Sequence, residues 1–139
     1  MNKIYISSDS EVEQAIEILG NTEYLACDTE TAGLSHWENT LWSIQIANEN
    51  DGFLFPYNAL NEVSRNKLRK YMADKVWVCH NASFDYKFLK LNGFEAKGLY
   101  CTQDTEKILY TGKYYTWGLK DVCKRRFQID LSKEERKDF

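Results

Sequence analysis

Two acidic residues separated by a single position, Asp28 and Glu30, follow the apolar run at residues 24–27 and are the first candidates for chemistry. Because side chains alternate across a strand, both carboxylates should project from the same face at the end of a buried strand. Adjacent carboxylates repel each other, and burying them is costly unless they are paired or bind a metal. Taken alone, the segment predicts a solvated acidic turn, and a cation site is the alternative.

A third carboxylate, Asp85, favours the cation site. It follows the continuous apolar run at residues 76–79, which is typical of a strand buried on both faces, and it lies in a helix that Asn81 is expected to cap. The helix positions of Phe88 and Leu89 place Asp85 on an apolar face, where an isolated carboxylate is expensive. If the two strands are neighbours, three carboxylates converge at their carboxyl ends, and such oxygen ligands suit Mg²⁺ or Mn²⁺.

The rest of the chain predicts an α/β domain with a mixed sheet of about five strands flanked by helices. A capping box at Ser8 and Glu11 should open the first helix, and the turn signal Asn50-Asp51-Gly52 should close a β-hairpin. The predicted strands lie at residues 3–7, 23–30, 41–49, 53–57 and 76–79, and the predicted helices at residues 8–19, 58–74, 81–92, 104–110 and 118–126.

Composition narrows the class of protein. The 139 residues indicate one domain, and 43% hydrophobic with 28% charged residues is ordinary for a globular protein. The net charge of −3 provides no global basic field, so any nucleic-acid contact must use local patches. We expect neither a signal peptide nor a membrane span, and a cytoplasmic location. The four cysteines lack a CxxC pair, which predicts free thiols rather than a zinc site or a disulfide framework.

The motifs carry a family resemblance. D-x-E-T-x-G-L at residues 28–34 and N-x-x-F-D at residues 81–85 resemble the first two motifs of the DEDD 3′–5′ exonucleases, and the chain looks most similar to the proofreading domain of family A DNA polymerases, especially the phage kind. Further similar segments are LWSIQIA, FLFPY, the Asp104-Thr105 step and GLKDVCKRRFQIDL, so the resemblance covers about residues 22–131. It implies the ribonuclease-H-like fold.

The resemblance also implies an activity. It is the metal-dependent hydrolysis of the terminal phosphodiester at a single-stranded DNA 3′ end, which releases a nucleoside monophosphate. Asp28 would bridge two divalent cations, Mg or Mn, Glu30 would bind one of them, and Asp85 would hold the second through water. An exonuclease of the same superfamily that trims RNA 3′ ends is the alternative enzyme.

The resemblance further implies contacts to the substrate. Thr31 and Leu34 would meet the terminal nucleotide, and Asn81 would contact the substrate as well as cap its helix.

His36 and Trp37, in the loop after the acidic pair, suggest either a platform that stacks on the terminal base or a surface loop with one packed indole. The basic and aromatic residues of segment 113–126 suggest either a single-strand groove or a helix with a solvated basic face, and the packed positions of that helix favour the second interpretation slightly.

One family feature is missing. The DEDD pattern requires a fourth acid in a later Y-x-x-x-D or H-x-x-x-D motif. Tyr100 and Asp104 fit those letters, but they follow Asp85 too closely and overlap the D-T step, so we interpret the match as coincidence. Three interpretations follow for the 139 residues: a single exonuclease-like domain truncated before its last helices, a protein completed by a polymerase or another chain, or an incomplete module that only binds nucleic acid or a protein partner. Whether the chain is an enzyme by itself stays open, and we expect poor activity.

Overall fold

The computed structural model describes residues 1–131, and the charged segment 132–139 lies outside them. The described residues contain strands and helices in the order β1 (Asn2–Tyr5), α1 (Ser10–Leu19), β2 (Tyr24–Thr31), β3 (Leu41–Ala47), β4 (Asp51–Phe55), α2 (Glu62–Met72), β5 (Val76–Cys79), α3 (Ala82–Leu91), β6 (Gly98–Cys101), α4 (Thr102–Tyr110) and α5 (Leu119–Phe127). A short 3₁₀ turn, Tyr57–Ala59, precedes α2.

One mixed sheet organises the fold, with the strand order β1-β4-β3-β2-β5-β6. Strand β2 pairs antiparallel with β3 on one side and parallel with β5 on the other. Strand β6 pairs parallel with β5, and β1 pairs parallel with β4. The predicted mixed α/β sheet is confirmed, with six strands instead of about five. The missed strand, β6, has the sequence GLYC and lacks both a clear alternation and a long apolar run.

The chain divides into two compact units, Met1–Cys101 and Thr102–Phe139. The first unit contains the whole sheet, and within it α3 packs against β2, β5 and β6. Its core residues include Val12, Leu25, Ile44, Phe55, Leu68, Trp77 and Phe88. Burying each large apolar side chain of this kind contributes about 1.5–3 kcal/mol, so the core can offset the cost of burying a few polar groups.

The second unit, as far as the structure describes it, contains α4 and α5. Glu106 of α4 is buried and pairs with Arg125 and Arg126 of α5, which ties the two helices together. Helix α4 begins at Thr102, two residues before the predicted start of this helix at residue 104. No helix among residues 1–131 is long and apolar enough to cross a membrane.

Two predicted local structures are shifted along the chain. In the hairpin, the Asn48 side-chain oxygen accepts hydrogen bonds from the amides of Asn50 at 2.9 Å and Asp51 at 2.7 Å, so the turn precedes Gly52, which already lies in β4. At α1 the expected capping box is wrong, because the helix begins at Ser10 and Glu11 instead accepts from the amide and hydroxyl of Ser7.

The free-thiol prediction is confirmed. All four cysteines are unbridged; Cys27 and Cys79 are buried, and Cys101 and Cys123 are partly buried. A hydrogen bond between the Cys27 and Cys79 thiols, together with burial, raises the pKa of Cys27 well above its usual range, so the Cys27 thiol stays protonated at neutral pH.

Candidate active site

The acidic pair lies near the carboxyl end of the central strand. Asp28 and Glu30 both belong to β2, and both are exposed on the same face, whereas Thr29 between them is buried. In the antiparallel register Asp28 lies opposite Gln45, and Glu30 lies opposite Ser43. The alternation therefore exposes both carboxylates at one edge of the sheet, as the spacing predicts.

Asp85 lies in the first turn of α3 and contacts β2 at Thr29, the buried residue between the two acids. It is only 2% exposed, and its Oδ1 accepts a hydrogen bond from the Thr29 hydroxyl at 2.7 Å. Burial raises the pKa of Asp85 to about 6; the Thr29 hydrogen bond opposes the rise, and the negative charge of Asp28 adds to it. Asp28 and Asp85 are therefore electrostatic neighbours at the end of β2.

The expected capping role of Asn81 is wrong. Asn81 does occupy the position before α3, but its backbone is left-handed, with φ 63° and ψ 52°, and its side chain makes no capping hydrogen bond. Asparagine tolerates this conformation better than most residues, although it remains uncommon and clusters at functional sites. The exposed side-chain amide of Asn81 thus does not cap α3, although Asn81 lies at the junction between β5 and the helix that carries Asp85.

The loop after β2 is held by its own side chains. The Thr31 hydroxyl donates to the Gly33 carbonyl at 2.6 Å, and the Asn39 side-chain oxygen accepts from the Ser35 amide at 3.0 Å. A Cβ atom on Gly33 would lie 2.5 Å from that Asn39 oxygen, so only glycine fits here without a shift. This bonding leaves Leu34 at the surface, 86% exposed.

The same loop presents an aromatic pair. The rings of His36 and Trp37 are 4.9 Å apart, and His36 also meets Phe88 of α3 edge-on at 6.3 Å. Trp37 is 77% exposed, so the alternative of a packed indole is wrong. Stacking of this ring on a nucleic-acid base stays a prediction.

The residues around Asp28 fit a hard divalent cation. Asp28 and the buried Asp85 repel each other, which a cation would relieve, and every candidate donor is an oxygen. In addition, Gln45 Oε1 is buried without a hydrogen-bond partner among the described residues. However, residues 1–131 contain no group of three or more His, Cys, Asp or Glu side chains arranged to hold a metal. The structure thus brings Asp28 and Asp85 together and places Glu30 on the face of Asp28, without gathering all three around one point.

Sequence reasoning missed Thr29 and Gln45. The alternation of β2 turns Thr29 to the core, but its bond to Asp85 depends on how α3 packs. Gln45 lies within the LWSIQIA segment, and only the strand register shows that it is opposite Asp28.

The basic residues at the end of segment 113–126 are largely engaged within the second unit. The Arg125 guanidinium lies over the Tyr114 ring, 4.4 Å from its centre, and 5.6 Å from that of Trp117. Arg126 lies 4.8 Å from the centre of the Tyr110 ring and pairs with Glu106. These internal contacts support a packing role for both arginines.

Comparison with protein families shows to which family the chain belongs. A model of the 3′–5′ exonuclease family matches residues 4–138. The chain belongs to this family. Among curated proteins, the chain is 27% identical over 105 residues to DNA polymerase I of Aquifex aeolicus and 31% identical over 97 residues to that of Borreliella burgdorferi. The matches cover 76% and 64% of the chain but only 17% and 11% of the two polymerases.

Solved structures show the same fold. Escherichia coli RNase D, described as an exoribonuclease involved in structured RNA processing, matches with a TM-score of 0.79 at 20% identity, covering 98% of this chain and 36% of RNase D. Brucella melitensis NrnC matches with a TM-score of 0.70 at 20% identity, covering 95% of this chain and 64% of NrnC. NrnC structures have also been solved with bound Mg²⁺ and with bound pGG. The DEDD exonuclease resemblance and the ribonuclease-H-like fold are thus confirmed.

Replacing Asp85 by Asn should stabilise the metal-free protein at neutral pH. Folding raises the pKa of Asp85 from an ordinary 3.8 to about 6, so the folded state becomes less stable as the pH rises from about 4 to 6. The D85N variant avoids this loss and should gain up to about 3 kcal/mol in free energy of unfolding above that window, with little gain near pH 4.

Urea unfolding in the presence of a chelator, measured at several pH values between about 4 and 8, tests this expectation. Glu30→Gln is the matched control, because Glu30 is exposed on β2 and neutralising its charge should change the free energy of unfolding little. A D85N protein that is less stable than the unaltered chain near pH 7.5 would contradict the assignment of a costly buried charge.

Proposed function

We propose that this chain provides the catalytic carboxylates of an exonuclease that removes nucleotides from DNA 3′ ends. The observation that carries the proposal is the buried Asp85 carboxylate beside Asp28, at the exposed end of the central strand. The sequence similarity to two DNA polymerases I supports DNA as the substrate. The similarity in fold to RNase D supports the second candidate, trimming of RNA 3′ ends.

In this proposal Asp28, Glu30 and Asp85 hold two divalent cations, Mg²⁺ or Mn²⁺. Such a pair of ions supplies charge stabilisation for both the attacking and the leaving oxygen of an in-line displacement at phosphorus. A water oxygen would bond to the terminal phosphorus and release a proton, the bond from phosphorus to the 3′ oxygen would break, and that oxygen would leave with the electron pair and take up a proton. The products are a nucleoside monophosphate and a strand shorter by one nucleotide.

Other residues near the acids would bind the strand. Leu34 offers an exposed apolar surface for the terminal nucleotide, and the Thr31 hydroxyl shapes the loop that presents it. The left-handed Asn81 offers an exposed amide that can donate and accept hydrogen bonds. Trp37 would stack on a base, which is a contact that tolerates any sequence.

Completion of the site requires a fourth acid in the family pattern. Asp104 lies in the first turn of α4 and forms an ion pair with Lys107 at 3.7 Å. Its match to the Y-x-x-x-D letters remains, in our proposal, a coincidence, and the fourth carboxylate would come from outside these 139 residues, whether from a longer form of this protein, a polymerase or another chain. The chain spans only 17% and 11% of the two polymerases. An activity of either whole polymerase is therefore only a proposal for this chain. We further propose that the protein acts in the cytoplasm.

The chain alone should degrade a single-stranded DNA labelled near its 5′ end slowly from the 3′ end, and only with Mn²⁺ or Mg²⁺. Asp28→Ala should abolish this activity, because it removes the carboxylate expected to contact both ions. Asp104→Asn should leave it unchanged. The measurement is the ladder of shortened products on a denaturing gel, with a matched RNA oligonucleotide in parallel.

Robust cleavage that Asp104→Asn abolishes would show that Asp104 is the fourth acid. Cleavage that persists in Asp28→Ala would contradict the proposed site. Faster shortening of the RNA than of the matched DNA would favour the second candidate function.

Asn81→Gly should separate substrate binding from backbone conformation. Glycine adopts positive φ readily, so this variant keeps the left-handed backbone and loses only the amide, whereas Asn81→Ala adds strain of about 1–2 kcal/mol. We expect Asn81→Gly to bind a fluorescent single-stranded oligonucleotide several-fold more weakly in the presence of Mn²⁺, as measured by anisotropy. Binding equal to that of the unaltered chain would rule out a substrate contact by the Asn81 side chain.

A further inference from the structure

The middle residue of the D-x-E motif links the two acidic segments. Thr29 lies between Asp28 and Glu30, but strand alternation turns its side chain to the buried face, where it is 6% exposed. Its hydroxyl donates to Asp85 Oδ1 at 2.7 Å, across 56 positions of sequence. The Thr29 hydroxyl therefore connects β2, which carries the first two carboxylates, to α3, which carries the third.

The chemistry of this contact is specific. A threonine hydroxyl has one proton to donate, and here a buried carboxylate oxygen accepts it. Hydrogen bonds to a charged acceptor are stronger than those between neutral groups, and leaving a buried carboxylate oxygen without its donor is costly. Partners of this kind, which orient a metal-binding side chain without touching the metal, commonly affect metal affinity by 10–100-fold.

We propose that Thr29 is a positioning residue: its hydroxyl fixes the Asp85 carboxylate relative to β2 and thereby sets the affinity of the site for divalent cations. This inference rests on the proposed function, which assigns cation binding to Asp85. The competing explanation is that Thr29 merely fills a buried strand position. Valine separates the two explanations, because it is β-branched and has nearly the volume of threonine but has no hydroxyl.

The first measurement is the affinity of the full chain for Mn²⁺, determined from the electron paramagnetic resonance signal of the free ion. Thr29→Val should weaken binding by about 10-fold or more. Thr29→Ser retains a hydroxyl on the same carbon and should restore most of the affinity. If the valine variant fails to fold, as judged by circular dichroism, Thr29→Ala removes the same hydroxyl and replaces it in the comparison.

A double-mutant cycle identifies the group through which Thr29 acts. In an Asp85→Asn background the acceptor has lost its charge, so Thr29→Val should cause little further loss of Mn²⁺ affinity. Ser64→Ala is the matched control: it removes another buried hydroxyl, on α2, and should leave Mn²⁺ affinity unchanged even if stability falls.

The outcomes are distinguishable. Equal Mn²⁺ affinity of Thr29→Val and the unaltered chain, or losses that add fully in the Asp85→Asn background, would overturn the positioning role and leave the proposed function standing. A chain that binds no Mn²⁺, or whose binding Asp28→Ala does not change, would overturn the proposed function and this inference with it. Loss in the valine variant, recovery in the serine variant and non-additivity with Asp85 would together support the assignment.

Discussion

The burial of the Asp85 carboxylate beside Asp28 is the constraint on which the candidate site depends. Burying an ionised carboxylate near another one costs free energy, and the raised pKa of Asp85 follows from that cost. The protein tolerates it because a well-packed core lies directly behind the site, with Phe88 and Leu89 of the same helix fully buried. If the proposed cations bind, they would relieve this repulsion and stabilise the protein.

The strand order creates this arrangement. Because β5 runs parallel to β2, with Ala26 opposite Val78, both strands end at the same edge of the sheet. The chain leaves β5 through the left-handed Asn81 and turns at once into α3, which brings Asp85 back onto β2. On the other side of β2, the antiparallel register places Gln45 opposite Asp28. The placement of Asp28, Gln45 and Asp85 thus follows from one parallel and one antiparallel pairing of the same strand.

Features encoded by short patterns could be predicted from the sequence, and features set by tertiary contacts could not. The apolar run at residues 76–79 is β5 within the bounds expected, and the spacing of Asp28 and Glu30 correctly placed both on one face. The conformation of Asn81 depends on the angle at which α3 packs, and a good capping residue type does not reveal it. Thr29 has a side chain that suits any strand, so its bond to Asp85 emerges only from the fold.

Charge links the proposed cations to the proposed substrate. The chain has a net charge of −3, and its candidate site adds carboxylates where a phosphodiester, itself negative, would have to bind. Without bound cations the acids of β2 and α3 would repel that phosphate. If the proposed function holds, cation and substrate must therefore strengthen each other's binding, and linkage requires the same factor in both directions. In such a site, a hydroxyl that orients one carboxylate acts on substrate binding as well as on cation binding, although it touches neither partner.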